Sequence, residues 1–340
     1  MTVGEHLGSQ GDIRGTVIGS TLGLVPGDIT TVVQALVNNV DGVVRGKHHE
    51  IRMAVACLLT EGHLLLDDVP GTGKTSLAKA IAGSIGGTWK RVQFTPDLLP
   101  SDITGVMVYD QASGVFNFRE GPVFANVLIG DEINRGSPKT QSALLEVMEE
   151  RQVTADGVAR LVPRPFFVVA TQNPRDFQGT FPLPDVQLDR FTMRLSLGYT
   201  DHNTEVSVLE DYTRAARDVA VSAVTDAETL ESVIEQVDGI EVAPGVHDYI
   251  VRIAESTRTH PDLRLGVSTR GTIALLRASR AWAATAERDY VTPDDVQDLA
   301  PAVCSHRIAL SPEAELRGAD TRAIMADLLD GIPVPRRRDG

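Results

Sequence analysis

The sequence predicts an α/β domain built on a parallel sheet and followed by an all-α domain. Short apolar runs that suit buried parallel strands recur before residue 200, and a glycine-rich turn joins one of them to a helical pattern. Past residue 200 the strand signals fade and helical patterns continue. We place a disordered tail at 1–21, the α/β domain at 22–198 and the helical domain at 203–335.

The elements of the first domain follow in order along the chain. Two helical patterns, "GDITTVVQALVNNVDGVV" and "HHEIRMAVACLLTEG", precede a short apolar run, "HLLLDD", which predicts a buried strand. Two further strands are predicted in "NVLIGDE" (126–132) and "PFFVVATQN" (165–173). Between them Ser137 is a good N-cap and Pro138 a good first residue, so a helix is expected to begin there.

Two inserts interrupt this pattern and predict β-hairpins that project from the body. The stretch at 104–119 alternates around a turn at "ASG". The stretch at 151–162 carries Asp156-Gly157, a dipeptide typical of a two-residue hairpin turn. A passive surface loop is the alternative for each insert.

Composition narrows the class of protein. Hydrophobic residues make up 42% and charged residues 23%, which is ordinary for a soluble globular chain. No signal peptide or bilayer-length apolar run is found, and Cys57 and Cys304 form no CxxC pair, so a cytoplasmic protein without a cysteine metal site is expected. The formal net charge of −14 disfavours nucleic acid as the main partner, although a local basic loop can act inside an acidic protein.

The stretch "DDVPGTGKT" (67–75) nearly matches the phosphate-binding pattern G-x-x-x-x-G-K-[ST], with Asp68 in place of the first glycine. Glycines let the backbone approach phosphate, Lys74 supplies a cation to it, and Thr75 supplies a hydroxyl to Mg²⁺ at the start of a helix. The predicted nucleotide contacts here are Pro70, Gly71, Thr72, Gly73, Lys74, Thr75 and Ser76.

Polar side chains end the next two predicted strands. Asp131 suits a magnesium shell, and Glu132 is placed to orient or deprotonate an attacking water. A solvated strand cap is the alternative for an isolated acidic pair. Asn173 ends the following strand, where its amide can hold that water or contact a terminal phosphate; a plain turn before Pro174 is the alternative.

Two arginines are candidates for stabilising charge during phosphoryl transfer. Arg190, in "LPDVQLDRF", can act as an arginine finger supplied by a neighbouring subunit, or alternatively form a salt bridge near Asp189. Arg270 falls in the first turn of a helix, where the helix dipole disfavours a cation. An anion supplied by the other domain would explain that placement.

Together these stretches resemble the AAA+ ATPases, and in detail the MoxR family, over about residues 25–335. The motifs that carry the resemblance are "VVRGKHHEI", "LLLDDVPGTGKTSLAKAIA", "QFTPDLLPSDITGV", "FREGPVFANVLIGDEINRGSPKTQSALLEVMEERQVT", "VVATQNPRDFQGTFPLPDVQLDRF" and "RDYVTPDDV". The family commonly carries an acidic "EDVPG" form of the phosphate loop, which Asp68 matches. It commonly has "SPRA" where this chain has "STRG", so Gly271 is expected to loosen a helix start by about 1 kcal/mol.

The resemblance implies ATP and Mg²⁺ as cofactors and a role for each motif residue. The implied roles are Walker A ligands for Lys74 and Thr75, a Walker B pair for Asp131 and Glu132, a sensor for Asn173, a finger acting in trans for Arg190, a lid-domain sensor for Arg270, and an adenine-lining segment for 43–46, including Val44 and Gly46.

It also implies a hexameric, chaperone-like ATPase that remodels protein clients, often with a partner bearing a von Willebrand factor A domain, and in some relatives in support of metal insertion. A magnesium-chelatase-like subunit and a DNA translocase of the same clade are the alternatives. Translocation is disfavoured because the hairpin tips lack lysine and arginine. A nucleotide-gated scaffold would need a missing catalytic group, whereas Glu132 and Arg190 are both present.

Overall fold

A computed structural model describes residues 28–69, 71–173, 180–214 and 221–335. The predicted tail at 1–21 lies outside these residues, as do Pro70 and residues 215–220 of the helical domain. The strands are β1 (Leu64–Asp67), β2 (Trp89–Gln93), β3 (Gly105–Asp110), β4 (Val115–Glu120), β5 (Val127–Asp131), β6 (Gln152–Ala155), β7 (Val158–Leu161), β8 (Phe167–Gln172), β9 (Met193–Leu195), β10 (Leu263–Leu265) and β11 (Ala309–Leu310).

Helices surround and follow these strands. They are α1 (Ile29–Asp41), α2 (His48–Leu59), α3 (Lys74–Ser84), α4 (Pro100–Thr104), α5 (Pro138–Glu150), α6 (Asp185–Leu188), α7 (His202–Arg214), α8 (Ala227–Asp238), α9 (Pro244–Thr259), α10 (Thr269–Thr285), α11 (Pro293–Cys304), α12 (Pro312–Leu316) and α13 (Thr321–Gly331). Within the described ranges, none is long and apolar enough to cross a bilayer.

A parallel sheet of five strands forms the centre of the first domain, in the order β2-β5-β8-β1-β9. The three predicted strands are its middle members β5, β8 and β1. Helices cover both faces, so Leu64, Leu65 and Leu66 are all fully buried, as a continuous apolar run requires. The outer strands β2 and β9 were not predicted. Val92 is the buried side chain of β2, and β9 has three residues, too few for a periodic signal.

The predicted helix start at Ser137 is confirmed. Its hydroxyl accepts a hydrogen bond from the Thr140 amide, and Pro138 is the first residue of α5. This cap fixes where α5 begins, just beyond the end of β5. The helix then runs back to the opposite edge of the sheet, as a crossover between parallel strands must.

Both predicted hairpins are confirmed, as β3-β4 and β6-β7. In the second, Asp156 and Gly157 both have positive φ, of 52° and 72°, which a type I′ turn demands. The two hairpins touch each other, because the Arg160 guanidinium lies 4.2 Å from the centre of the Phe118 ring.

The second domain consists mainly of helices, as predicted, with the short antiparallel pair β10-β11 added to them. Thr292 and Asp295 form a capping box at the start of α11 around Pro293. The core of this domain is continuous with that of the first, since α10 packs directly on α1 and α2.

Because the five central strands are parallel, their carboxyl ends meet along one side of the sheet, which we term the carboxyl edge. Their amino ends meet along the opposite side, the amino edge. Strand β1 has four residues, so roughly 13 Å separates the two edges. This distance decides which predicted site residues can act together.

Candidate active site

The phosphate loop lies at the carboxyl edge, between β1 and α3. Gly71 and Gly73 have φ of 88° and 90°, in the left-handed region that favours glycine. Gly73 is the N-cap of α3, so the free amides of that helix face the loop. Thr72 donates its hydroxyl hydrogen to the Val69 carbonyl at 3.2 Å, and Ser76 is exposed in the first turn. The local geometry is that of an anion site.

Lys74 folds over this loop. Its ammonium donates to the carbonyl oxygens of Asp68 and Val69, the latter at 2.9 Å, and lies 3.4 Å from Asn173 Oδ1. Burial lowers the Lys74 pKa, while the carboxylates around it, Asp68 first, oppose that shift. The cation is therefore held by neutral oxygens that phosphate oxygens can replace.

The two acidic residues of the loop point away from the phosphate position. Asp67 forms an ion pair with Arg194 of β9. Asp68 accepts hydrogen bonds from the amides of Gly198 at 2.5 Å and Val69 at 2.8 Å, and from Ser196 Oγ at 3.2 Å. Burial alone would raise the Asp68 pKa, but these hydrogen bonds outweigh it, and the pKa is lowered. Both carboxylates thus fasten the loop to the chain that leads into the second domain.

Asp131 ends β5 beside the loop and is buried. One of its oxygens accepts hydrogen bonds from Thr75 Oγ1 at 3.4 Å and Thr171 Oγ1 at 3.3 Å. The other is 2.6 Å from Arg91 Nε. Within the described ranges no group of three or more His, Cys, Asp or Glu side chains could hold a metal alone. Thr75 and Asp131 fit Mg²⁺ as protein ligands that complement phosphate and water oxygens, which is how this ion is usually held.

Glu132 follows with a left-handed backbone, φ 55° and ψ 50°, which turns its side chain away from the strand direction. One carboxylate oxygen accepts from Asn173 Nδ2 at 3.0 Å. The other accepts from Gln93 Nε2 at 2.9 Å and Arg135 Nη1 at 3.1 Å. Asn173 therefore links Glu132 to Lys74. Its predicted contact with a water or a terminal phosphate stays a prediction. Gln93 was not predicted from the sequence because β2, the strand that carries this residue, was not predicted either.

The segment predicted to line adenine packs near the same edge. Val44 is buried. Gly46 has φ 71°, and a Cβ there would lie 3.0 Å from Thr204 Oγ1 of α7. Lys47 donates to the Tyr199 carbonyl at 2.9 Å. The first and second domains thus meet beside the phosphate loop.

Arg190 and Arg270 lie elsewhere, at the amino edge. Both pair with one carboxylate, Glu149 at the end of α5, at 2.9 Å and 2.8 Å respectively. Asp189, the neighbour considered as a partner for Arg190, instead pairs with Arg307 at 2.7 Å. Arg190 precedes β9, which lies in parallel register with β1, so its side chain is a full strand length from the phosphate loop. The structure does not bring either arginine to Lys74 of the same molecule.

Comparison with known proteins identifies the family of the chain. The model of the ATPase family associated with various cellular activities (AAA) matches residues 63–193, and that of the AAA lid domain matches 255–328. YeaC of Bacillus subtilis, an uncharacterized protein, is 45% identical over 92% of this chain and 97% of its own length. Chaperone MoxR1 of Mycobacterium tuberculosis is 35% identical over 86% of this chain and 80% of that protein.

A solved crystal structure from Cytophaga hutchinsonii, of a protein assigned to the ATPases, superimposes with a TM-score of 0.84 and 35% identity, over 91% of this chain and 96% of that one. The fold and the two domain matches define an AAA ATPase. Since the identity to Chaperone MoxR1 extends over most of both proteins, the chain belongs to the MoxR family.

Proposed function

We propose that this ATPase hydrolyses ATP with Mg²⁺ at interfaces between copies of itself, arranged head to tail in a ring, by family likeness a hexamer, and that turnover remodels protein clients. The observation that carries the proposal is the separation of Arg190 from the phosphate loop by roughly the 13 Å length of β1. We therefore expect Arg190 to act on the nucleotide of a neighbouring copy, as an arginine finger supplied in trans does.

The carboxyl edge supplies the groups that bind and attack. Lys74 would exchange its loop carbonyls for phosphate oxygens, a stronger charged contact. Glu132 would accept a proton from the attacking water, while Asn173 holds its carboxylate in place. Thr75 and Asp131 would hold Mg²⁺, which neutralises charge on the phosphates. Arg190 of the adjacent copy would stabilise the charge of the transition state.

A protein client fits the surface better than nucleic acid. The β3-β4 hairpin exposes Tyr109 and Phe116, whose rings lie 5.1 Å apart, together with Val115. Arg160, the base near the second tip, is held over Phe118 and bonded to backbone carbonyls. Exposed apolar side chains suit polypeptide, whereas phosphate backbones require free cations.

The family resemblance supplies the finer proposal that the chain acts with a von Willebrand factor A domain partner. Together they would mature a client enzyme, and this maturation would include the insertion of a metal into the client. A magnesium-chelatase-like role is the second candidate of this kind. Purification of the chain with bound partners from its native cells, followed by mass spectrometry, separates these roles.

The ring proposal is tested by measuring ATP hydrolysis against protein concentration, for the wild type and for Arg190→Ala, with sizing in ATP and Mg²⁺. Specific activity is expected to rise with concentration, and Arg190→Ala is expected to assemble without turnover. Equal specific activity at all concentrations, with Arg190→Ala unaffected, would contradict hydrolysis at an interface.

A further inference from the structure

Glu149 joins two arginines that come from different domains. Its Oε2 lies 2.9 Å from Arg190 Nη2, and its Oε1 lies 2.8 Å from Arg270 Nη1. One carboxylate oxygen therefore serves each guanidinium. Arg190 also donates from Nη1 to the Leu145 carbonyl at 2.5 Å, so α5 holds this side chain at two points.

The surroundings explain why this carboxylate matters. A cavity of about 230 Å³ opens between the two domains at this point. Its charged lining residues are Arg151, Arg190, Arg270, Arg277, Arg307, Glu61, Glu149 and Asp189. Guanidinium groups outnumber carboxylates in this lining, and like charges within one cavity repel each other. The cavity is therefore basic on balance.

The other two carboxylates of the cavity have different partners. Asp189 pairs with the buried Arg307, and Glu61 pairs with Arg164 at 2.8 Å. Glu149 is thus the carboxylate that balances Arg190 and Arg270. The two arginine side chains are partly exposed, by 26% for Arg190 and 46% for Arg270, so an anion arriving from solvent or from another molecule can reach their guanidinium groups.

We infer that Glu149 is a positioning residue: it holds Arg190 and Arg270 side by side as one anion site, and the terminal phosphate on a neighbouring copy exchanges with its carboxylate. This inference rests on the proposed function. A phosphate presents several oxygens, so it can take both guanidiniums at once, as the carboxylate does. The dipole of α10 disfavours a cation at the position of Arg270. An anion offsets this both when Glu149 is the partner and when phosphate replaces it.

The first test compares Glu149→Gln with Glu150→Gln in ATPase assays of the assembled protein. Glu150 is the matched control, because it neighbours Glu149 on the same helix and, in the described chain, no ion pair joins it to a cation. Glu149→Gln is expected to lower kcat about tenfold, since the arginines lose their alignment. KM for ATP is not expected to rise, because a competing anion has been removed. Glu150→Gln should leave both constants unchanged.

A mutant cycle with Arg270→Ala separates positioning from a general loss of packing. If Glu149 acts through the arginines, Glu149→Gln should cost less in the Arg270→Ala background than in the wild type. Equal losses in both backgrounds would overturn the inference. Should Glu149→Gln lower the melting temperature, Glu149→Asp keeps the charge but is too short to bridge both arginines, and the same fall in kcat is expected.

The outcomes distinguish this inference from the proposed function. Wild-type kcat in folded Glu149→Gln and Glu149→Asp, together with an inactive Arg190→Ala, would overturn the role of Glu149 and leave the ring mechanism standing. Full activity in Arg190→Ala would contradict both the ring mechanism and the inferred role of Glu149.

Discussion

The carboxyl and amino edges of the sheet differ in how their charged groups are satisfied. At the carboxyl edge, Lys74 contacts loop carbonyls and Glu132 is held by neutral amides as well as Arg135. At the amino edge, Arg190 and Arg270 share Glu149. At each edge these groups have partners within the same molecule, yet each edge holds only part of the groups that phosphoryl transfer requires. The comparison indicates why we propose that two molecules assemble one active site from the carboxyl edge of one copy and the amino edge of the other.

The largest effect is expected at the carboxyl edge. Glu132→Gln keeps the hydrogen bond from Gln93 or Asn173 but removes the base, so turnover should fall about 100- to 1,000-fold while ATP binding persists. Steady-state hydrolysis and equilibrium binding of a labelled ATP check this. Full activity in the variant would show that Glu132 is not the catalytic base. Glu150→Gln, which removes the same charge outside the site, serves as the control.

A pH effect is expected from the amino edge. His63, just before β1, accepts from the Val168 amide at Nδ1 and contacts the Met148 carbonyl through Nε2, both at 3.1 Å. Burial first, then the nearby charge of Arg151, lowers its pKa to about 3. The unfolded chain, with a pKa near 6.5, therefore binds more protons between these values. The contribution of neutral His63 to the free energy of unfolding is complete above pH 6.5. It is lost as pH falls, by about 2 kcal/mol from pH 7 to pH 5.

Urea unfolding at the two pH values measures this loss. His63→Gln, which cannot take up a proton, serves as the control and should show a pH dependence smaller by about the same 2 kcal/mol. An identical pH dependence in both proteins would contradict the assignment.

Gly271 tests the amino edge at the helix that carries Arg270. The expected loosening of this helix start stays a prediction, and the structure adds a close contact there: a Cβ at Gly271 would lie 2.8 Å from Val267 Cγ1 and 2.9 Å from Arg307 Cδ. Glycine therefore makes room for the buried Arg307. Gly271→Ala gains helix propensity but overpacks this contact, and should destabilise the protein by about 1 kcal/mol.

Gly245→Ala is the control for that prediction. Gly245 lies in the exposed first turn of α9, where a Cβ would meet Pro335 Cβ at an ordinary 3.5 Å. This change should stabilise by about 0.5 kcal/mol. Thermal unfolding of both variants reports the sign, and stabilisation of both would show that Arg307 yields easily.

The smallest effect is expected from Asp68, back at the carboxyl edge. Its carboxylate is bonded to Gly198 and Ser196 and turned away from phosphate. Removing the charge as Asp68→Asn should therefore change ATP affinity less than tenfold, with a loss of about 1 kcal/mol of stability from weakened hydrogen bonds. A tenfold gain in affinity would show that the charge does face the nucleotide.

The two edges also differ in how far sequence predicts them. The residues of the phosphate loop and of Asp131-Glu132 are contiguous, and their strand context follows from local apolar runs, so the carboxyl edge could be predicted in outline. Gln93 and Arg91 could not, because β2 is mostly exposed and has little apolar pattern. The orientation of Asp67 and Asp68 depends on β9 and the chain after it, which are distant in sequence.

Glu149 shows the limit more clearly. It is one of several glutamates on the polar side of α5, and no pattern distinguishes it from Glu146 or Glu150. The role we infer for Glu149 depends on two contacts of α5. One is with the chain before β9, more than 40 positions away in sequence, and the other is with α10, more than 120 positions away. Arg190 and Arg270 could be singled out from their motifs, but the edge at which they lie is a property of the folded sheet.

The most direct test of the divided site mixes two inactive variants, Lys74→Ala and Arg190→Ala. In a head-to-tail ring, an intact phosphate loop then meets an intact arginine at about a quarter of the interfaces of a random equal mixture, and that fraction of wild-type turnover is expected. A mixture of Lys74→Ala with Glu132→Gln, both altered at the carboxyl edge, should recover nothing. Recovery in the first mixture alone supports an active site shared between copies. An inactive first mixture whose subunits demonstrably co-assemble would contradict it.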